Sequence, residues 1–311
     1  MTTVRLATLA DTAAIVDIHT SHKTQWEQVD SMGQLVSARY EALTLYERWQ
    51  QGGPWMSIET CAVHLNRLLA GSGVPLVAED ENGQVLAEAE VYESFEPAPY
   101  GHHLHIGVII THADHLRRGL GAALMKYIVE MARLMKCERI AVSHNEARHF
   151  FAAQNFRHTH TGRGVRIATQ QGRAFYQGVD LVDRNPDQIK GWYMPFGRYQ
   201  SSRQEWDNLF PQDWAAGLPD LLNILVMHVK LTVTNQNAIL FMREADQPGE
   251  VYLACWSARP LSNPLLTAIR DRAFRDGFHT IISYVMDTDL PSLGNDAQQT
   301  NYSQDLYEFP L

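Results

Sequence analysis

Residues 112–136 read HADHLRRGLGAALMKYIVEMARLMK. Leu120, Leu124, Tyr127, Ile128, Met131 and Met135 recur at helical spacing, so the segment is read as an amphipathic helix with that stripe in the core. Gly119 and Gly121 stand where the helix should begin, although glycine is a poor helix former. The first turn of a helix leaves four backbone N–H groups unpaired, and together with the helix dipole they form an anion site. A glycine there lets a bulky phosphate approach the backbone without a Cβ in the way. Arg117 and Arg118 add positive charge beside it. The dinucleotide fingerprint lacks its third glycine here, and the Gly-Lys-Ser/Thr of a P-loop is absent.

The chain has 311 residues, 45% of them hydrophobic and 20% charged, enough for two domains with sizeable cores. Its net charge of -9 argues against general nucleic-acid binding. The charge is uneven: residues 116–139 carry six basic and two acidic side chains. No apolar run is long enough to span a membrane, and the first twenty residues lack the pattern of a secretory signal. Cys61, Cys137 and Cys255 are scattered and odd in number, which favours a reducing, cytoplasmic setting.

Along the chain, TVRLA reads as a strand and TLADTAAIVDIHTSH as a helix. Residues 35–70 carry further helical patterns. Asn82-Gly83 between alternating runs marks a hairpin. HHLHIGVIITH is a strand before the quoted helix, ERIAVSH a strand after it, NEARHFFAAQNF a short helix, and RHTHTGRGVRIAT one or two closing strands. Residues 1–168 thus form a mixed sheet with interspersed helices. Residues 169–220 lose periodicity but hold three of the seven tryptophans, which predicts a packed connection rather than a flexible linker. From 221 to 311, three strands, a helix with Asn263 as N-cap and Pro264 first, and the strand TIISYVM echo the second half of the first region. The counterpart of the glycine segment there, SARPLSNPLLTAIRDRAF, has no Gly-x-Gly, so the second region is read as lacking an anion site.

The segment Leu116-Arg117-Arg118-Gly119-Leu120-Gly121, after a strand, resembles motif A of the GCN5-related N-acetyltransferases (GNAT), Gln/Arg-x-x-Gly-x-Gly/Ala. NEARHFFAAQNF resembles the family's Asn-x-x-Ala…Phe-Tyr-x-x-x-Gly-Phe segment, and the element order of residues 1–168 agrees. Three positions depart from the pattern: Leu116 for Gln/Arg, Asn155 for glycine, and Phe151 where the family often places a tyrosine. Asparagine tolerates positive φ. The resemblance covers about half the chain. It implies an α/β fold with a mixed, splayed GNAT-type sheet flanked by helices, followed by a second, smaller and degenerate GNAT-like domain at 221–311.

The resemblance further implies an acetyl-CoA site between HIGVIIT and RIAVSH. Backbone groups of Ile109, Ile110 and Thr111 would hold the pantetheine arm. The N–H groups of Arg117, Arg118, Gly119, Leu120, Gly121 and Ala122 would hold the pyrophosphate, and Asn145 the distal arm. Phe151 would lie near the departing sulfur. An amine attacks the thioester directly, and Glu88, Glu90 and His105 are the candidate bases. Each is weighed against a plain solvent-facing role on a half-exposed sheet. His103 and His105 share a strand face, but no further ligand cluster supports a metal, so none is expected.

The resulting expectation is an acyl-CoA-dependent N-acyltransferase acting on a small-molecule amine, with no nucleic-acid or membrane partner. The second half, with 11 basic and 17 acidic residues over 169–311, is expected to shape the acceptor pocket or supply a homodimer surface. Phe151 motivates the alternative of a non-catalytic acyl-CoA-binding or regulatory module. A nucleotide-binding protein is a third reading, resting on the generic anion site alone.

Overall fold

The computed structural model describes residues 2–143, 147–173, 175–209 and 226–311. They form two compact units that are discontinuous in sequence. The first holds residues 2–92 and 106–135. The second holds 93–105 and the described residues from 136 onward.

The first unit starts with strand β1 (Thr3–Leu6) and helix α1 (Thr12–Thr20). A two-stranded hairpin follows, of β2 (Trp26–Val29) and β3 (Leu35–Ala38), then helices α2 (Leu45–Gln50) and α3 (Ile58–Arg67). Strand β4 (Val74–Glu79) lies between β1 and β5 (Val85–Phe95), antiparallel to both, and β6 (His102–Thr111) neighbours β5. The predicted hairpin turn is present: Gly83 has φ 80, and Asp80 and Gln84 close the loop with an N–H···O bond of 3.0 Å. Ile15 and Val16 of α1 pack with Cys61 and Leu65 of α3 and with Val77 of β4.

Helix α4 (Leu120–Leu134) contacts β1 and β4. Leu120, Leu124 and Ile128 of the predicted stripe are buried, joined by Met125 and Ala132. Tyr127, Met131 and Met135 are only half-buried. Residues 35–70 are less helical than predicted: Leu35–Ala38 is a strand, and α2 is only six residues long.

The second unit contains the tip of the β5–β6 hairpin, β7 (Arg139–Ser143), helix α5 (Arg148–Ala153) and one long strand β8 (Arg157–Ala168). Residues 169–220 are more regular than a connection: β9 (Tyr176–Asp180), β10 (Tyr193–Phe196) and α6 (Ser202–Leu209) lie there. β11 (Val226–Val233), β12 (Gln236–Glu244), β13 (Glu250–Ser257), α7 (Asn263–Arg275) and β14 (Thr280–Met286) fall where predicted. The final strand β15 (Ala297–Pro310) is not signalled by the sequence pattern, because it alternates among polar residues. The strand order is β7-β15-β8-β14-β13-β12-β11-β9. Only β13 and β14 pair in parallel, joined by α7, so the sheet is mixed. One face packs under α7 through Leu265, Ile269, Leu240 and Val251. The other buries Trp206, Trp256, Met194 and Ile239. The result is the mixed α/β architecture with helices flanking sheets that the sequence implied.

Leu124 is fully buried while Lys126 is exposed on the same helix. Leu124→Ala should lower unfolding stability by about 2–5 kcal/mol in urea titrations, and Lys126→Ala should stay within about 0.5 kcal/mol.

Candidate active site

Successive side chains of a strand point to opposite faces, so Glu88, Glu90 and Tyr92 of β5 share one. All three are buried, Glu88 and Glu90 with 1% exposure each, which overturns the solvent-facing alternative. A buried carboxyl needs donors, and three other elements supply them. His19 of α1 places Nε2 2.6 Å from Glu88. Trp55 donates its indole N–H to Glu90 at 2.8 Å, His64 of α3 contacts the same oxygen at 2.9 Å, and the Tyr92 hydroxyl donates to the other at 2.9 Å. Trp55 stacks on His19 with ring centroids 4.9 Å apart.

Two adjacent carboxyls without water resist carrying two charges. Burial and the neighbouring Glu90 push Glu88 well above the ordinary carboxyl range. Burial acts on Glu90 the same way, but the His64 charge and the bonds from His64, Trp55 and Tyr92 outweigh it and hold Glu90 below that range. Burial lowers His19 to about 4. The surroundings thus favour the neutral carboxyl at Glu88, the carboxylate at Glu90 and the neutral imidazole at His19. His19, Trp55, His64 and Tyr92 were not among the residues the sequence singled out. The one available signal was His19 falling four residues after Ile15 on the apolar side of α1.

His105, the third candidate base, lies in the second unit, buried beside His103 with ring centroids 6.4 Å apart. His103 Nδ1 contacts the Gly101 carbonyl at 3.1 Å. Burial lowers the His103 pKa despite the nearby Glu96. Among the described residues no three His, Cys, Asp or Glu side chains converge as metal ligands. The three cysteines are free and buried.

The glycine turn sits at the start of α4. Gly119 is the N-cap, with φ 85, and Arg117 also takes positive φ, at 61. A side chain at Gly119 would meet no protein atom within 4 Å, so backbone conformation and open space, not packing, call for glycine there. No side chain caps this helix, and its first intrahelical bond runs from Ala123 to Gly119. The N–H groups of Leu120, Gly121 and Ala122 are left without acceptors among the described residues. Arg117, Arg118 and Gly119 are exposed. An uncapped, exposed, positive helix start fits a pyrophosphate.

The N-terminus of α7 is different. Ser262, not Asn263, is its N-cap, and Ser262 Oγ accepts the Leu265 N–H at 3.3 Å. Pro264 has no N–H to offer. The second unit therefore closes with its own residues the position that the first leaves open. Its parallel strands β13 and β14 pair only from Glu250↔Thr280 to Tyr252↔Ile282. Beyond that, β10 lies along β13, and the Gly197 N–H after it bonds the Tyr284 carbonyl of β14 at 2.8 Å.

Ile109, Ile110 and Thr111 are half-buried at the end of β6, and His22 Nε2 already contacts the Thr111 carbonyl at 2.8 Å. Phe151 is fully buried against Phe150 and Phe156, with centroids 5.2 Å away in each case. Asn155 takes φ 65, the left-handed conformation that glycine supplies in the related motif. Asn145 lies outside the described residues.

Residues 31–156 match the model of the acetyltransferase (GNAT) family. This part of the chain is similar to a GNAT domain. That match contains Glu88, Glu90, His105 and the glycine turn, and stops short of His19. No curated protein matches the sequence. A GCN5-related N-acetyltransferase from Anabaena variabilis shares the fold at a TM-score of 0.65 and 8% identity, over 99% of this chain and 72% of that one. One from Kribbella flavida does so at 0.59 and 10%, over 100% and 71%. Eis1 from Mycobacterium abscessus gives 0.57 and 14%, over 100% and 73%. At these identities the likeness is one of fold, and it extends beyond residues 31–156 to the whole chain.

Two outcomes check the buried network. Glu88→Gln puts an amide where burial favours the neutral carboxyl and should change stability by under about 1 kcal/mol, whereas Glu90→Gln turns an amide N–H₂ towards converging donors and should cost about 1–3 kcal/mol. The second outcome concerns pH. Folded His19 binds its proton only near 4, while the unfolded chain takes one up near 6.5. Its contribution is thus complete above 6.5 and lost as pH falls towards 4. Thermal melts of His19→Gln across that window should show a shallower acid loss than the parent protein.

Proposed function

We propose that the chain is an acyl-CoA-dependent N-acyltransferase that moves acetyl from acetyl-CoA to a primary amine by direct attack. The observation that carries this reading is the uncapped, glycine-started helix α4 within the GNAT domain. In it, the N–H groups of Leu120, Gly121 and Ala122 bind the pyrophosphate, with Arg117 and Arg118 adding charge. Backbone groups at Ile109 and Ile110 hold the pantetheine arm. Acetyl-CoA supplies a thioester whose thiolate is a tolerable leaving group, since a free thiol has a pKa of about 8.5.

The attacking amine must first lose a proton. Neutral His19 takes that proton on one ring nitrogen and passes one inward to the Glu88–Glu90 pair, which holds a single negative charge. His105 is the alternative base. A backbone N–H near Ile109 stabilises the oxyanion that develops on the carbonyl. The self-capped α7 and the strand laid along β13 support a single acyl-CoA site per chain, with the second half degenerate. The acceptor is read as a small-molecule amine.

Isothermal titration with acetyl-CoA, followed by thiol release over a panel of amines, tests the reading. Saturable binding with turnover is expected, and absence of binding at millimolar cofactor overturns it. Binding without turnover favours a non-catalytic acyl-CoA-binding module, for which the burial of Phe151, where a tyrosine acid would stand, is the specific support. Gly121→Val should weaken acetyl-CoA binding by more than about tenfold, because a branched side chain crowds an anion at the helix start, while the melting temperature moves little.

A further inference from the structure

On the sheet face of the second unit that faces away from α7, β12, β13 and β14 meet α6 and the segment after β10 around a cavity of about 390 Å³. Its walls are aromatic: Tyr199, Phe241, Tyr252 and Tyr284 line it. Tyr199 is exposed at 42%, and its ring lies 5.9 Å from that of Tyr284. Two lining groups have acceptor oxygens with room for a further donor. Gln200 Oε1 is buried with no partner. Glu205 is 7% exposed, and its carboxyl accepts the Gln200 backbone N–H and makes no other hydrogen bond among the described residues.

Buried acceptors without donors are costly, and aromatic faces attract cations through their quadrupoles. We propose that this cavity binds an organic primary ammonium ion on an aryl or aliphatic stem, its N–H groups donating to Glu205 and Gln200 and its stem against the tyrosine faces. The inference is independent of acyl transfer and of the glycine turn.

The charge state of Glu205 gives the site a signature. Burial, opposed by the Gln200 N–H and by Arg198, raises it to about 8. Arg198 is itself paired with Glu96. Tyr284 and Tyr302 are the other titratable groups that feel the Glu205 charge. A bound ammonium favours the carboxylate, so Glu205 gives its proton to the buffer as the ion pair forms. Among the described lining residues the one cation, Arg243, stacks over Tyr252 at 5.0 Å. It is the feature that an anionic ligand would use instead.

The test uses the full chain near neutral pH with no acyl donor. Calorimetric titrations compare phenethylammonium with phenethyl alcohol and hydrocinnamate, in two buffers of different ionisation enthalpy. Saturable binding of the ammonium, at least about tenfold tighter than either relative, with proton release to the buffer, is expected. Glu205→Gln should abolish both the preference and the proton release, and Tyr284→Leu should weaken binding, each variant being checked for native folding by circular dichroism. Equal binding of the alcohol, preference for hydrocinnamate, absence of ammonium binding, or a folded Glu205→Gln that keeps the preference would each overturn the proposal. Because no acyl donor is present, failure here leaves the acyltransferase reading untouched.

Discussion

Two carboxyl groups in neighbouring positions on one face of a buried strand set the terms for the first unit. Glu88 and Glu90 have lost water, so each must find its partners in the protein or remain neutral. The chain leans both ways: burial beside Glu90 favours the neutral carboxyl at Glu88, and His64, Trp55 and Tyr92 favour the carboxylate at Glu90. Helices α1 and α3 and the turn carrying Trp55 are thereby tied to β5 by polar contacts as well as by the apolar packing of Ile15, Cys61, Leu65 and Val77. A strand face built this way holds a proton at a defined place.

The two halves treat one structural opportunity in opposite ways. Helix α4 begins on glycine with N–H groups unpaired among the described residues and with exposed arginines, and α7 begins with a serine cap and a proline. The same physics of unpaired N–H groups operates at both ends. Only the local residues decide whether those groups are kept for a ligand or spent on the chain itself. In the second unit the space where β13 and β14 cease to pair is filled by the β10 segment. The cavity on that unit's other resource, its aromatic face, has a different chemistry altogether, with acceptors in place of donors.

Much of the fold was legible because it depends on local chemistry. Asn82-Gly83 forces a tight turn wherever it sits between alternating strands. The apolar stripe of α4 needs only a neighbouring sheet to bury against. Asn155 tolerates left-handed backbone, and it adopts it. The misreadings are equally physical. Residues 35–38 pair with β2, and that partner outweighs helical propensity. β15 finds its partners in β7 and β8, over a hundred residues away, and its half-polar alternation carries no strong signal. Ser262 rather than Asn263 caps α7, a one-residue difference that only side-chain geometry resolves.

The family resemblance, the glycine turn at Gly119 and Gly121 and the candidate carboxyls Glu88 and Glu90 were all legible in the sequence alone, since each rests on residue type and short spacing. Tertiary structure decided what those carboxyls are. Strand periodicity places Glu88 and Glu90 on one face but cannot say whether that face meets water. Burial under α1 and α3 pushes the proton affinities of two ordinary acids apart, and it recruits His19, Trp55 and His64 from positions 26 to 69 residues upstream. A pKa is set by the dielectric and the charges around a group, and those come from parts of the chain that meet only when it folds.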